Sequence, residues 1–444
     1  MERTGIIPPD VDRTGAPAAD FPVPAGAAQA LERLHRAGHE AWLVGGCVRD
    51  RLLGREPKDY DVTTSALPEE TERVFAGETL IETGLKHGTV TVILAGEPVE
   101  ITTYRVDGTY SDGRRPDSVT FTRSLAEDAA RRDFTINAMA YAPDLGLWDG
   151  CGGREDLDRG LIRCVGDPET RFREDALRIL RALRFAAQLD FALEPATLAA
   201  ARKTAPLLKK VAAERITAEL EKLLCGPAAG RVLTLCPDIL GTVLPELAPL
   251  AEPARRTVPP WGDLLLCLAA SLDRLPPRLT VRLAALLRCG ERLTGSAAEG
   301  DGPTRRILDR LRFPRRVQEE SLSLTALWER EPEAGRPGVL RRLSQLGERL
   351  YFDWLDLRRA EAPSAALDGT EALARSLLAE GACLSVRDLA VNGRDLLALG
   401  WAGPSLGRAM EALLIRVQAG ELPNRRDALL SALGRMTGGG EREK

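Results

Sequence analysis

The sequence has no C-x-x-C pair among its eight cysteines, and several of these lie inside apolar runs such as LLLCLAA. That excludes a zinc site or a disulfide frame and predicts reduced core thiols. No run of about 18 uncharged apolar residues occurs, so no membrane-spanning helix is expected. No signal peptide is read before the first amphipathic segment, and a soluble cytoplasmic protein is expected. Neither sign of charge dominates: 61 Lys+Arg against 65 Asp+Glu give a net charge of −4. A generally basic nucleic-acid coat is thereby excluded, but not a local positive face. Arginines do cluster, at Arg114–Arg115, at Arg131–Arg132 and from Arg171 to Arg184. Aromatic residues are few (5%), whereas Leu, Ala and Arg are plentiful, a composition that leans towards helix. A chain of 444 residues predicts two to four domains.

Residues 1–20 are rich in Pro, Gly and Ala and read as a loose segment. The stretch FPVPAGAAQALERLHRAGH predicts an amphipathic helix ending near Gly38. A mixed α/β pattern follows: AWLV as a strand, CVRDRLL as a helix closed by Gly54, KDYDVTT as a strand and LPEETERVF as a helix. TVTVIL and VEITTYR alternate as two strands joined by an AGEP turn. From about Phe134 the pattern reads as helical throughout, including EDALRILRALRFAAQL, ERITAELEKLL, DLLLCLAASL and PRLTVRLAALLRC. CGPAAG and GERLTGSAAEGDGPT mark joints, and no fixed-period repeat is present.

The chemistry starts at LVGGCVRDRLLGREPKDYDV. Asp59 and Asp61, at i and i+2 of the expected strand, would point to one face, where two hard oxygen donors suit Mg²⁺. An Asp-x-Asp pair alone is more often a solvated strand end. Here it follows Gly45-Gly46 at the start of a helix, where backbone amides can approach phosphate, and Arg49, which adds a positive charge. Strand, Gly-Gly, helix with Arg, then Asp-x-Asp describes the head of a nucleotidyltransferase. Glu100, on the second hairpin strand, is the candidate third carboxylate, although a strand-edge Glu is as often simply exposed. In RRDFTINAMAY, Asp133 either caps a helix or, with Arg132, reads ribose hydroxyls.

In RFREDALRILRALRF, Asp175 and Arg178 are read as neighbours three apart on one helix face. They could form surface ion pairs of little energetic worth. As a site, an acceptor beside a donor matches the Watson–Crick edge of cytosine, and also that of adenine. Uracil and guanine set a carbonyl against the carboxylate and leave buried acceptors unpaired. Arg178, Arg181 and Arg184 step by about 60° around an ideal helix, which keeps Arg181 near the pocket and turns Arg184 away from Asp175.

These residues carry a resemblance. LVGGCVRDRLLG…KDYDVTT, GTVTV…VEITTYR, YSDGRRPDSVTF, RRDFTINAMA, VGDPETRFREDALRILRALRF and ERITAELEKLL resemble the class II tRNA nucleotidyltransferases. These are the CCA-adding enzymes, which share ancestry with bacterial poly(A) polymerases. Near the end of the chain, LSVRDLAVNGRDLLALG…GPSLGRAMEALLIRVQAGELPN resembles the tail of bacterial members. The resemblance implies an α/β head followed by an all-α neck, body and tail in an elongated, seahorse-like arrangement. On this chain the head falls at 21–165, the neck at 166–227, the body at 228–380 and the tail at 381–440. It implies Mg²⁺ at Asp59 and Asp61, with Glu100 beside them. Nucleotide contacts would come from Gly45, Gly46, Arg49, Arg132 and Asp133, and base selection from Asp175 and Arg178, helped by Arg181 and Arg184. CTP and ATP would be added in turn to the 3′ end of tRNA with release of pyrophosphate, while body and tail hold the tRNA by shape and phosphate contacts.

The alternatives within this resemblance are a poly(A) polymerase and an A-adding or CC-adding specialist. ETGLKHGTVTV replaces the basic run usual in the polymerases. The segment RVDGTYSDGRRPDSVTFTRSL is of full length, whereas CC-adding enzymes lack this loop. An A-adding specialist stays open. From another class, a catalytically silent tRNA-binding protein would be expected to have lost part of Asp-x-Asp or of EDxxR, and both are intact. None of the three histidines, His35, His39 and His87, precedes an Asp, so no His-Asp phosphohydrolase activity is expected. Nothing in the sequence sets the oligomeric state.

Overall fold

The computed structural model describes residues 11–12, 21–84, 88–108, 110, 118–251, 261–294 and 302–437. The whole SDGRRPD segment, 111–117, with Arg114–Arg115, His87, and residues 295–301 of the GERLTGSAAEGDGPT joint lie outside them. The chain divides into two compact units, Met1–Gly262 with Arg310–Arg312, and Asp263–Asp309 with Phe313–Lys444.

The first unit is built on an eight-stranded mixed sheet. Its strands are β1 (Val11–Asp12), β2 (Ala41–Val44), β3 (Asp61–Thr64), β4 (Leu80–Gly84), β5 (Thr89–Leu94) and β6 (Glu97–Thr103). A separate ribbon is formed by β7 (Arg105–Asp107) and β8 (Val119–Phe121), and the sheet is completed by β9 (Ala140–Ala142) and β10 (Gly146–Trp148). The order is β1-β10-β9-β2-β3-β6-β5-β4. All four residues of β2 are buried, as an apolar AWLV run at the centre of a covered sheet requires. β5 alternates half-buried and buried residues, the period-2 pattern of TVTVIL. The β5–β6 connection is tighter than the expected AGEP: Leu94 pairs with Glu97, and only Ala95 and Gly96, at φ 50 and 81, make the turn. Two successive positive φ values match the right-handed twist of a two-residue hairpin. Helix α1 (Ala25–Arg36) packs Ala27, Ala30, Leu31 and Leu34 inward, an i, i+3, i+4, i+7 stripe. Helices α2 (Gly46–Leu52), α3 (Pro68–Val74), α4 (Leu125–Ala130) and α5 (Gly153–Asp158) complete this part.

Three expectations are corrected here. The chain does not turn helical at Phe134: Thr135–Asn137 is one short 3₁₀ turn, and β9 and β10 return it to the sheet. AMAYA is a continuous apolar run, which carries no period to separate a buried strand from a buried helix. Residues 1–20 are not wholly apart from the fold, since Val11 and Asp12 pair with Trp148 and Leu147 at the sheet edge. The expected EDALRILRALRF helix is two helices, α6 (Pro168–Glu174) and α7 (Leu177–Leu189). Asp175 lies between them in extended backbone, at φ −141 and ψ 104. Asp167 caps α6 and Pro168 occupies its first turn, so α6 has its own start. The Asp175 carboxylate then accepts the Leu177 amide and opens α7. A two-strand pair, β11 (Leu161–Ile162) with β12 (Ala192–Leu193), ties α7 back to the head, and α8 (Pro195–Thr204) and α9 (Ala213–Leu224) follow.

The second unit is helical. Gly335–Glu361 is interrupted at Gly347, whose φ of 73 no continuous helix allows. Gly393–Ala398, Pro404–Gln418 and Arg426–Thr437 close on a small core with Leu396, Leu413, Leu429 and Leu433 fully buried. All eight cysteines are free thiols. Among the described residues no helix is long and apolar enough to cross a membrane.

Candidate active site

A cleft of about 870 Å³ opens in the first unit, and eleven of the twelve residues singled out from the sequence line it. Glu100 is the exception. The sheet register explains the gathering: Val44 at the end of β2 pairs with Asp61 at the start of β3, so Gly45–Gly46 and the Asp-x-Asp segment leave the sheet at the same edge. Gly45 has φ 78 and ψ −132, a conformation open to glycine alone. A Cβ there would stand 3.7 Å from Nη1 of Arg132, and one on Gly46 would stand 3.6 Å from Nη2 of Arg49.

Asp59 is not on a strand, because β3 begins only at Asp61. Strand alternation therefore does not set the two carboxylates on one face, and the loop before β3 brings Asp59 to the cleft. The two carboxylates are electrostatic neighbours nonetheless. Asp61 opens to the cleft yet is walled by packed atoms; this burial, then the charges of Asp59 and Glu100, push its carboxyl up to about 6, against the pull of Arg132. Glu100 reaches this position by register, since β6 runs parallel to β3 with Ile101 opposite Val62, but its side chain is exposed outside the cleft wall.

The cationic wall is held by two acids, Asp133, which the motifs announced, and Asp128, which they did not. Asp128, fully buried on α4, accepts from Nε and Nη2 of Arg131 (2.9 and 2.7 Å) and from Nη2 of Arg132 (3.0 Å). Burial works to raise its carboxyl, but the Arg132 and Arg131 charges outweigh it and hold the group low. Arg49 donates to Oδ1 of Asn137 at 2.7 Å, and Asn137 donates to Oδ1 of Asp133 at 3.1 Å. Asp133 also accepts the Phe134 amide at 2.8 Å and, at Oδ2, Nε and Nη2 of Arg181 at 2.8 and 2.5 Å. These four donors use a carboxylate's full acceptor capacity. Asp133 thus orients Arg181 and, through Asn137, Arg49; a ribose hydroxyl would have to exchange with one of these donors. It is not a helix cap, since the residues after it form only the short turn.

Asp175 and Arg178 both line the cleft, joined through the backbone, where the Arg178 amide donates to the Asp175 carbonyl at 3.0 Å, and not as neighbours on one helix face. Asp175 is bound by Arg215 of α9, with Nη2 2.7 Å from Oδ2. Arg178 donates to Glu174 and to the carbonyls of Arg171 (3.2 Å) and Arg131 (3.1 Å). A guanidinium has five N–H donors, so its Nε–H and one Nη2–H are left for a ligand. Arg184 lines the cleft too, contrary to its expected turn away from Asp175, because Asp175 sits off the helix that the angular argument assumed. Burial pulls the Arg184 guanidinium down to about 10, with Glu219 opposing, and its Nε lies 3.1 Å from Oε2 of Glu219. The Phe185 ring carries three cations, with Arg184, Arg49 and Arg181 at 4.0, 5.0 and 5.6 Å from its centroid. Such contacts favour an array of like charges that would otherwise repel.

Arg215, Asn137, Asp128 and Phe185 were not read from the sequence as site residues. ERITAELEKLL and FTINAMAY contain two of them, but as helix and core patterns. Ten cationic and six anionic side chains line the cleft of a chain whose overall charge is −4, so its field attracts polyanions locally.

The chain matches three family models: the poly A polymerase head domain over residues 41–163, an RNA and SrmB-binding site of polymerase A over 190–250, and tRNA nucleotidyltransferase domain 2 over 303–433. It is 37% identical to the CCA-adding enzyme of Limosilactobacillus fermentum, over 91% of this chain and 95% of that protein. It is 39% identical to the CCA-adding enzyme of Geobacillus stearothermophilus over the same shares. Among solved structures, the Bacillus stearothermophilus CCA-adding enzyme in complex with CTP superposes with a TM-score of 0.71 at 33% identity, covering 93% of this chain and 97% of that one. The Thermotoga maritima CCA-adding enzyme complexed with tRNA shares the fold, with a TM-score of 0.62 at 21% identity over 95% and 97%. The chain belongs to the CCA-adding enzyme family and is a tRNA nucleotidyltransferase.

Proposed function

We propose that this cleft adds C, C and A to the 3′ end of tRNA without a nucleic-acid template, taking CTP and ATP and releasing pyrophosphate. The observation that carries it is the convergence of Asp59 and Asp61, the Gly45–Gly46 turn, and the Asp175–Arg178 pair on one cleft. Arg49 and Arg132, fixed by Asn137 and Asp128, would hold the triphosphate beside the Gly-Gly turn. Arg178 keeps two donors for the ring nitrogen and carbonyl of cytosine, and Asp175 keeps an acceptor for the amino group. Adenine offers the same amino group with a ring nitrogen.

The family works with a divalent cation. Asp59 and Asp61 fit one, because like charges crowd there and burial raises the cost of leaving Asp61 ionised. No three His, Cys, Asp or Glu side chains form a metal cage among the described residues. We assign Mg²⁺, which takes one or two carboxylates with substrate phosphates completing its shell. It would neutralise charge at the transferred phosphorus and activate the 3′ hydroxyl. The assignment of 21–165 to catalysis, 166–227 to base selection, and 228–380 and 381–440 to tRNA binding belongs to the same proposal, as does a cytoplasmic location. The test is incubation of tRNA lacking its CCA end with CTP and ATP, separately and together, followed by sizing. Two C residues with CTP alone and a finished CCA with both are expected. Long A tails, A-only or CC-only products, or no product would overturn it.

A further inference from the structure

Asp175 lies in the gap between α6 and α7, and what fixes its carboxylate is Arg215, forty residues later in the chain. Among the described residues three donors converge on it. Oδ1 accepts the Leu177 amide at 3.1 Å and Nη1 of Arg215 at 3.2 Å, and Oδ2 accepts Nη2 of Arg215 at 2.7 Å. A carboxylate has about four acceptor positions, so one, on Oδ2, is left facing the cleft that Asp175 and Arg215 both line. The planar two-pronged guanidinium also sets the plane of the carboxylate, whose terminal torsion is otherwise broad.

The consequence is chemical. A carboxylate with one open position can take one N–H from an exocyclic amino group. It cannot take two parallel N–H groups, because the second would need the oxygen positions that Arg215 fills. Guanine presents such a pair on its Watson–Crick edge, the ring N1–H and the amino N2–H. Cytosine and adenine each present a single amino N–H beside a ring acceptor. We infer that Arg215 is a positioning residue that sets nucleotide choice: by occupying both oxygens of Asp175 it excludes guanine and leaves one acceptor for the amino group of cytosine or adenine. The inference rests on the base-selecting role proposed for Asp175.

The experiment measures kcat/KM for single-nucleotide incorporation into tRNA lacking its CCA end, and into tRNA lacking only the final A, with each of the four nucleoside triphosphates. Arg215→Ala and Arg215→Lys are compared with the unaltered protein. In Arg215→Ala the freed carboxylate pairs with guanine, and the GTP-to-CTP ratio rises by about tenfold or more, while the UTP-to-CTP ratio stays unchanged, since uracil's single ring N–H between two carbonyls gains nothing from a further open acceptor. Arg215→Lys restores a point charge without the fork and gives an intermediate ratio. A fall in rate common to all four nucleotides, with the ratios unchanged, would show a merely structural role and overturn the inference. Should Arg215→Ala fail to fold, Arg215→Lys decides: a raised GTP ratio sustains the inference and wild-type selectivity refutes it. Failure of the unaltered protein to add C or A would instead remove the proposed function itself.

Discussion

Arg181, on α7, places two hydrogen bonds on a single oxygen of Asp133, 48 residues earlier in the chain, at 2.8 and 2.5 Å. The pair joins α7 to the segment that carries Arg131 and Arg132. It also has a pH signature. Burial works against the Asp133 carboxylate, but the Arg181 charge and hydrogen bonds outweigh it and bring the group from 3.8 down to about 2. A lowered folded-state value means that the contribution is fully present above the unfolded value and is lost as pH falls through the folded one. Asp133→Asn is expected to lose about 2 kcal/mol at neutral pH. Its acid-unfolding curve should also be flatter than the parent's between about pH 4 and about pH 2; thermal melts across that range read the difference.

Asp128→Asn removes the anion that holds Arg131 and Arg132 while leaving both guanidiniums partly buried. Breaking such a pair from one side costs on the order of 3 kcal/mol. Urea denaturation is expected to show the loss. Nucleotide titration should show weaker CTP and ATP binding together, since Arg132 no longer has a fixed direction. Unaltered affinity for both would count against Arg132 as a phosphate ligand.

Asp59→Ala and Asp61→Ala each remove an oxygen donor from the proposed cation site. Incorporation is expected to fall about 10³-fold or more, the scale of several kcal/mol of charge stabilisation, with tRNA affinity kept within a few-fold. Turnover retained in both variants would refute the metal assignment.

Gly45→Ala and Gly46→Ala separate backbone conformation from space. Both added methyl groups meet ordinary contacts at 3.7 and 3.6 Å, but only Gly45 has positive φ. Gly45→Ala is expected to cost about 1–3 kcal/mol and to lower activity, whereas Gly46→Ala should keep the parent's melting temperature. Equal melts for the two would show that the turn relaxes freely.

Swapping Asp175 for Ala removes the acceptor itself rather than its orientation. Discrimination against UTP is expected to fall by about one to two orders of magnitude, read as the UTP-to-CTP ratio of kcat/KM. Selectivity that survives the change would end the idea that protein side chains replace the template.

Most of the candidate site was legible in the sequence because the groups that gather on the cleft are written in local spacings. Gly45-Gly46, Arg49, Asp59 and Asp61 fall within seventeen residues, and the strand–turn–helix that presents them needs only apolar AWLV and a glycine-opened helix. Eleven of the twelve residues reach one cleft because the β2–β3 register brings both ends of that segment to one sheet edge. The hairpin of β5 and β6 was equally plain, since period-2 alternation is a local signal.

What the sequence by itself determined is therefore which groups are present, in which local order, and what class of ligand they suit. Only the tertiary structure decided which partner each group has. Ala140–Ala142 of AMAYA became strand rather than helix because the sheet had a place beside β2, which no local period encodes. Asp175 left the helix because α6 ends at Glu174 and its carboxylate caps the next one, so the side chain paired with that carboxylate is Arg215 and not the one three positions on. Asp128, Asn137 and Phe185 look like ordinary helix and core positions along the chain. They become part of the site because a buried cation must find its anion, its acceptor or a ring face within a few ångströms, and that distance is set by packing.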